Sequence, residues 1–159
     1  MTCVLRVFGT HLEIDDLLRE ISLVPDAVFR KGDQLSIEGA AAVHTRSLSG
    51  ARIVVSDAVR LWTQIDEAVL FLRANHAEVK KLSSFPGVQH ADLDFNAEVF
   101  DPPWGAIFKF STELLSLMGS TGVSLCLSIW PKSERSLSTL DDEERELTVE
   151  GKSTSRAVD

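Results

Sequence analysis

The chain has 159 residues, 44% of them hydrophobic and 25% charged, which suits a single globular domain that needs neither disulfide nor metal to support its core. Its 16 lysines and arginines stand against 24 aspartates and glutamates, and the net charge of −8 argues against nucleic-acid binding by phosphate neutralisation and against an anionic membrane surface. No leader-like basic and apolar run opens the chain, no stretch reaches the roughly 20 apolar residues of a membrane span, and Cys3 and Cys126 lack metal or redox spacing, so the expectation is a cytoplasmic protein with reduced thiols, no metal and no cofactor.

Residues 3–8 read as a first strand, β-branched and aromatic, ending at Gly9. Thr10 and Glu13 have capping-box spacing, and Ile14, Leu17, Leu18 and Ile21 form one helical stripe that stops before Pro25. Residues 27–30 are a short extended piece, broken by a turn at Lys31-Gly32-Asp33. Residues 40–55 pattern as a hairpin with one arm at 42–48, the other at 51–55, and Ser49-Gly50 at the bend. A long helix follows, with Ala58, Leu61, Trp62, Ile65, Val69 and Leu72 on its apolar side, Ser56 or Asp57 as cap and Asn75 as its end; residues 77–82 continue at an angle.

Residues 90–100 alternate strictly. Ala91, Leu93, Phe95, Ala97 and Val99 point one way, and His90, Asp92, Asp94, Asn96 and Glu98 the other. Pro102-Pro103-Trp104 marks a rigid turn, with Trp104 either a lid on the core or an exposed contact. A helix opens at Ser111 and closes near Gly119, and the last strand, 123–130, sets Val123, Leu125, Leu127 and Ile129 on one face. Residues 132–159 carry eight acidic and five basic residues with few apolar ones, the pattern of an acidic mobile tail beyond a single α/β domain at 1–131.

The predicted fold class is α+β: a two-layer sandwich of a mostly antiparallel sheet with helices on one face. One version of it is a duplicated ferredoxin-like βαβ arrangement, with residues 3–30 echoed by 90–130.

Nucleotide-binding, zinc-protease and hydrolase motifs are missing, so the reading leans against an enzyme. Period-two spacing places Arg6, His44, Arg46, His90, Asp92, Asp94, Ser124 and Ser128 on the helix-free face of the sheet. That face is bare surface, a dimer interface or a shallow ligand site. His90, Asp92 and Asp94 offer an imidazole and two carboxylates. Three side chains in line on one strand nevertheless converge poorly on an ion, and the simpler reading is a solvated face whose charges offset one another. Arg30, Lys31, Gly32 and Asp33 form either a structural turn or a recognition loop presenting two cations.

Leu5-Arg6-Val7-Phe8-Gly9, Leu12, Arg30-Lys31-Gly32-Asp33, Leu114-Leu115, Gly122 and Ser128-Ile129-Trp130 together resemble the bacterial domain-of-unknown-function family DUF 4279 over residues 3–131. The resemblance implies a small cytosolic bacterial α/β domain and carries no activity or catalytic residues with it. The function that fits best is a non-enzymatic interaction domain, binding a protein partner or itself, such as an immunity-type role against a basic toxin. The alternative is a small-molecule binder or enzyme that uses the polar face.

Overall fold

Alternation of Cys3, Leu5 and Val7 with Val4, Arg6 and Phe8 lets one strand serve two faces, and this strand becomes the centre of the sheet. In the computed structural model, which describes residues 2–35, 44–99 and 107–131, β1 (Cys3–Gly9) lies between β5 (Ser49–Ser56) and β6 (His90–Val99), antiparallel to both. β2 (Ala27–Phe29) adds outside β5, and β7 (Ser124–Pro131) outside β6, giving the order β2-β5-β1-β6-β7. Four helices complete the α+β fold: α1 (Ile14–Glu20), α2 (Leu61–Ala74), α3 (His76–Ser83) and α4 (Thr112–Thr121). A separate two-stranded ribbon pairs β3 (Gln34–Leu35) with β4 (His44–Thr45).

The chain divides into two compact units, Met1–Ala97 with Ile107–Ile129, and Glu98–Ala106 with Trp130–Asp159. The second lies almost wholly outside the described residues, as do the expected tail at 132–159 and the Pro102-Pro103-Trp104 turn.

The core explains the layering. Leu5, Val7, Ile53, Leu93 and Phe95 from one face of the sheet meet Ile14 and Leu17 of α1, Ile65, Ala68 and Leu72 of α2, Val79 and Leu82 of α3, and Leu114 and Met118 of α4. All four helices therefore cover the same face, as the one-sided alternation of β6 requires. Truncating a fully buried leucine here, such as Leu93, costs about 2–5 kcal/mol.

The order β2-β5-β1-β6 is that of two interleaved split βαβ units. The duplicated arrangement expected from the sequence is thus present, but its second unit runs from β5 through α2 and α3 to β6, not from 90 to 130. The α4–β7 pair is an addition at the edge.

Several local expectations are corrected. The expected hairpin bend at Ser49-Gly50 is the start of β5, where Gly50 pairs with Phe8 and Phe29. Of its first arm, 42–43 lie outside the described residues, and His44–Thr45 pair with β3 instead. Thr10 and Glu13 form no capping box. The Thr10 N–H donates to Gln89 Oε1 at 3.0 Å, and α1 opens without a side-chain cap. Neither Ser56 nor Asp57 caps α2, which begins at Leu61; Ser56 Oγ accepts the Ala58 N–H at 3.1 Å instead.

The buried side of α2 is Gln64, Ile65, Ala68 and Leu72, which is not the apolar stripe expected. Trp62 points outward, stacked under the Arg60 guanidinium, and Gln64 is fully buried in its place. Asn75 ends α2 as expected, with its N–H and its side-chain amide both bonded to the Phe71 carbonyl. Ser111 caps α4 through Leu114 N, and the helix ends near Gly119 as expected, at Thr121, with the left-handed Gly122 as its C-cap. Leu125 and Ile129, expected in the core, are 38% and 49% exposed, because β7 flanks the sheet beyond the reach of most helix side chains; Leu127 between them still packs on the core.

Candidate functional site

Strand register sorts the helix-free face into rows. Arg52, Arg6 and Asp92 stand side by side across β5, β1 and β6, the next row is Val54, Val4 and Asp94, and the third is Gly50, Phe8 and His90, joined from β2 by Phe29.

The charged groups pair as the sequence suggested, along a diagonal. Arg6 Nη2 reaches Asp94 Oδ2 at 3.1 Å, passing by its direct neighbour Asp92. Ser128 Oγ donates to the other Asp94 oxygen at 2.8 Å. Asp94 is only 4% exposed, a correction to its expected place in solvent, because these partners on both flanking strands close over it. Arg6 Nη2 also donates to Cys126 Sγ at 3.6 Å.

These contacts settle the reactivity of the cluster. Burial and the Asp94 carboxylate push the Cys126 thiol up, with Arg6 opposing, so the sulfur stays protonated at neutral pH and is a poor nucleophile. Cys3, on the core side, is pushed up mainly by its burial. The Ser128 hydroxyl proton is committed to one Asp94 oxygen while Arg6 pairs with the other. Among the described residues, no three His, Cys, Asp or Glu side chains are grouped to hold a metal ion.

The third row is aromatic. Gly50 has no side chain, and a Cβ there would sit 2.6 Å from Phe29 Cζ and 2.8 Å from Phe8 Cβ. The Phe29 ring therefore reaches over Gly50 from β2, on the side of Phe8. Phe8 stacks on His90 with ring centroids 4.9 Å apart, and the Arg46 guanidinium sits 4.6 Å from the centre of the Phe29 ring. The result is a row of two stacked pairs, Arg46-Phe29 and Phe8-His90, aligned across four strands on either side of Gly50. Phe8, Phe29 and Arg46 are half-buried and His90 is exposed.

Of the residues expected on this face, Arg6, His90, Asp92, Asp94 and Ser128 lie there. Ser124 is at the start of the edge strand and exposed. His44 is not on the sheet: it belongs to the β3–β4 ribbon, because the hairpin on which its placement rested does not form. Arg46 reaches the face by another route, from the loop after β4. Phe8, Phe29, Gly50 and Arg52 were missed. Phe8 shares the parity of Arg6 and was readable from it; Gly50 was masked by its resemblance to a turn residue.

The Arg30–Asp33 turn forms as expected, with Gly32 at φ 93° and Asp33 Oδ2 accepting the Arg30 N–H at 2.7 Å. It presents one uncommitted cation, not two. Arg30 grips Asp15 through Nη2 at 2.6 Å and Nε at 3.2 Å, which holds the Asp15 carboxyl below its usual range. The turn and the β1–α1 loop face each other across a cleft of about 380 Å³ lined by residues 10–15, Arg30, Lys31 and Ser49. In comparison with known proteins, no family model, curated protein or solved structure matches the chain.

Proposed function

We propose that this chain is a non-catalytic protein-interaction domain of immunity type, which engages a basic protein partner through the helix-free face of its sheet. The observation that carries the reading is the Arg46-Phe29-Phe8-His90 row. Aromatic rings and arginines held in place on a surface are the groups that anchor protein interfaces, and the mutually paired charges beside them form a polar rim. The net charge of −8 steers a basic partner toward the chain. The locked cluster at Asp94 weighs against using the same face as an active site. No residue of this face lines the 380 Å³ cleft, so the cleft lends no support to a small-molecule site here. The resemblance to DUF 4279 and the two free thiols suit a bacterial cytosolic setting.

Capture on the immobilised full chain tests the reading. A basic protein should be retained by the wild type and by Trp62→Ala on the helix layer, lost with Phe29→Ala or Arg46→Ala, and weakened by salt. Equal retention by the face variants would refute it. A concentration-dependent dimer, abolished by the same variants, would assign the face to a second copy instead.

A further inference from the structure

We propose that the cleft at the end of β1 binds a free α-amino acid, or a zwitterion of that size, with its carboxylate on Lys31 and its ammonium on Glu13. The volume of about 380 Å³ is at the small end of the range for ligand sites, about 300–1,000 Å³. One wall is the β1–α1 loop, Thr10 to Asp15; the other is Arg30 and Lys31, with Ser49 between them.

The charge inventory of the lining selects the ligand. Arg30 and Asp15 neutralise each other and tie the walls together. Beside the His11 imidazole, one fixed charge of each sign is then left, on Lys31 and Glu13. The Lys31 ammonium makes its hydrogen bond to a neutral group, the Thr10 carbonyl, at 3.4 Å. The Glu13 carboxylate makes no capping bond to α1. Neither side chain forms an ion pair among the described residues. Ser49 Oγ accepts the Lys31 N–H at 3.1 Å, so its own hydroxyl proton is available to a ligand carboxylate. Leu12 and Ile14 are buried beneath the lining, so the accessible walls are mostly polar and suit a small, charged ligand. A simple anion would meet Glu13 repulsively and a simple cation would meet Lys31 repulsively, whereas a zwitterion satisfies both.

The cleft is also preorganised. Gly9 and Gly87 pack so closely that a Cβ on Gly9 would lie 2.0 Å from the Gly87 oxygen, and one on Gly87 would lie 2.5 Å from the His11 oxygen. Gln89 holds Thr10 through both its N–H and its hydroxyl. The β1–α1 loop is thus braced from behind, which reduces the ordering cost of binding.

The test is calorimetric titration of the full chain with each free amino acid, up to about 10 mM, where a site of millimolar Kd is mostly filled. At least one should give a saturable heat and raise the melting temperature. Its N-acetyl and its carboxamide derivatives should each bind roughly tenfold more weakly or worse, because each leaves one charge of the cleft unanswered. Lys31→Ala and Glu13→Ala, both at exposed positions, should fold normally and lose binding by a similar factor. No saturable heat with any amino acid would overturn the proposal. So would binding indifferent to blocking either end, or binding that survives both substitutions.

Discussion

Replacing Gln64 by leucine removes three hydrogen bonds from the buried seam between α2 and β6 while nearly conserving volume. The Gln64 amide donates to the Ala58 and Asn96 carbonyls, both at 2.9 Å, and accepts the Asn96 N–H at 3.3 Å. It thereby pairs with β6 much as a strand would, and fixes where the helix begins. The side chain is fully buried, so water cannot replace these bonds. At a net 0.5–1.5 kcal/mol each, three bonds amount to about 2–4 kcal/mol. For a chain of this size that is a fall in melting temperature of roughly 4–16 °C. Urea unfolding with an unchanged m-value measures it directly, and amide exchange at Asn96 should accelerate in parallel. A loss below about 0.5 kcal/mol would show that Gln64 is a passenger in the core and that the start of α2 is fixed by something else.

Three further outcomes are expected. Gly50→Ala should cost about 1–3 kcal/mol, since the new methyl meets the Val7 carbonyl oxygen at 2.4 Å as well as both rings, and near-ultraviolet circular dichroism should show the Phe29 ring displaced. Asp94→Asn should cost about 1–3 kcal/mol by denaturant titration, below the roughly 3–5 kcal/mol of a fully buried broken pair because the Arg6 side chain is 38% exposed and partly solvated. The pH dependence follows from Cys3: its folded thiol keeps its proton well above the unfolded value of about 8.5, so its contribution is intact below that pH and is lost as pH rises above it. Urea midpoints should therefore fall more steeply between about pH 8 and 10 in the wild type than in Cys3→Ala.

The fold was legible where periodicity was strict. β6 alternates without a break, and that alone implied a one-sided sheet with helices on the side of Leu93 and Phe95. The stripe of α1 and the end of α2 at Asn75 were equally plain. Errors arose where a residue's local preference was overridden by a distant contact. Ser49-Gly50 has turn chemistry, but Gly50 is placed by a ring from β2 that needs the space. Trp62 fits the apolar spacing of α2, yet the polar Gln64 occupies the core because it meets the backbone of a strand 32 residues away. Leu125 and Ile129 have the right parity, but parity does not reveal that a strand lies at the edge.

The candidate face was half legible for the same reason. Period two put Arg6, Asp92, Asp94 and His90 together, and charge pairing across strands followed from it. The diagonal choice of Asp94 over Asp92 depends on Ser128 from the neighbouring strand, which no single-strand pattern contains. The cleft joins residues 10–15, 30, 31 and 49, and only the packing of the β1–α1 loop against the turn brings them together.

If the aromatic row is the partner-binding surface, chemical-shift mapping of the isotope-labelled chain with its captured basic partner will locate the contact there. Shifted resonances should cluster on Arg6, Phe8, Phe29, Arg46 and His90, with the outward residues of α2 and α4 unchanged. Shifts centred on Trp62, Leu70 and Leu115, with the aromatic row silent, would contradict that reading.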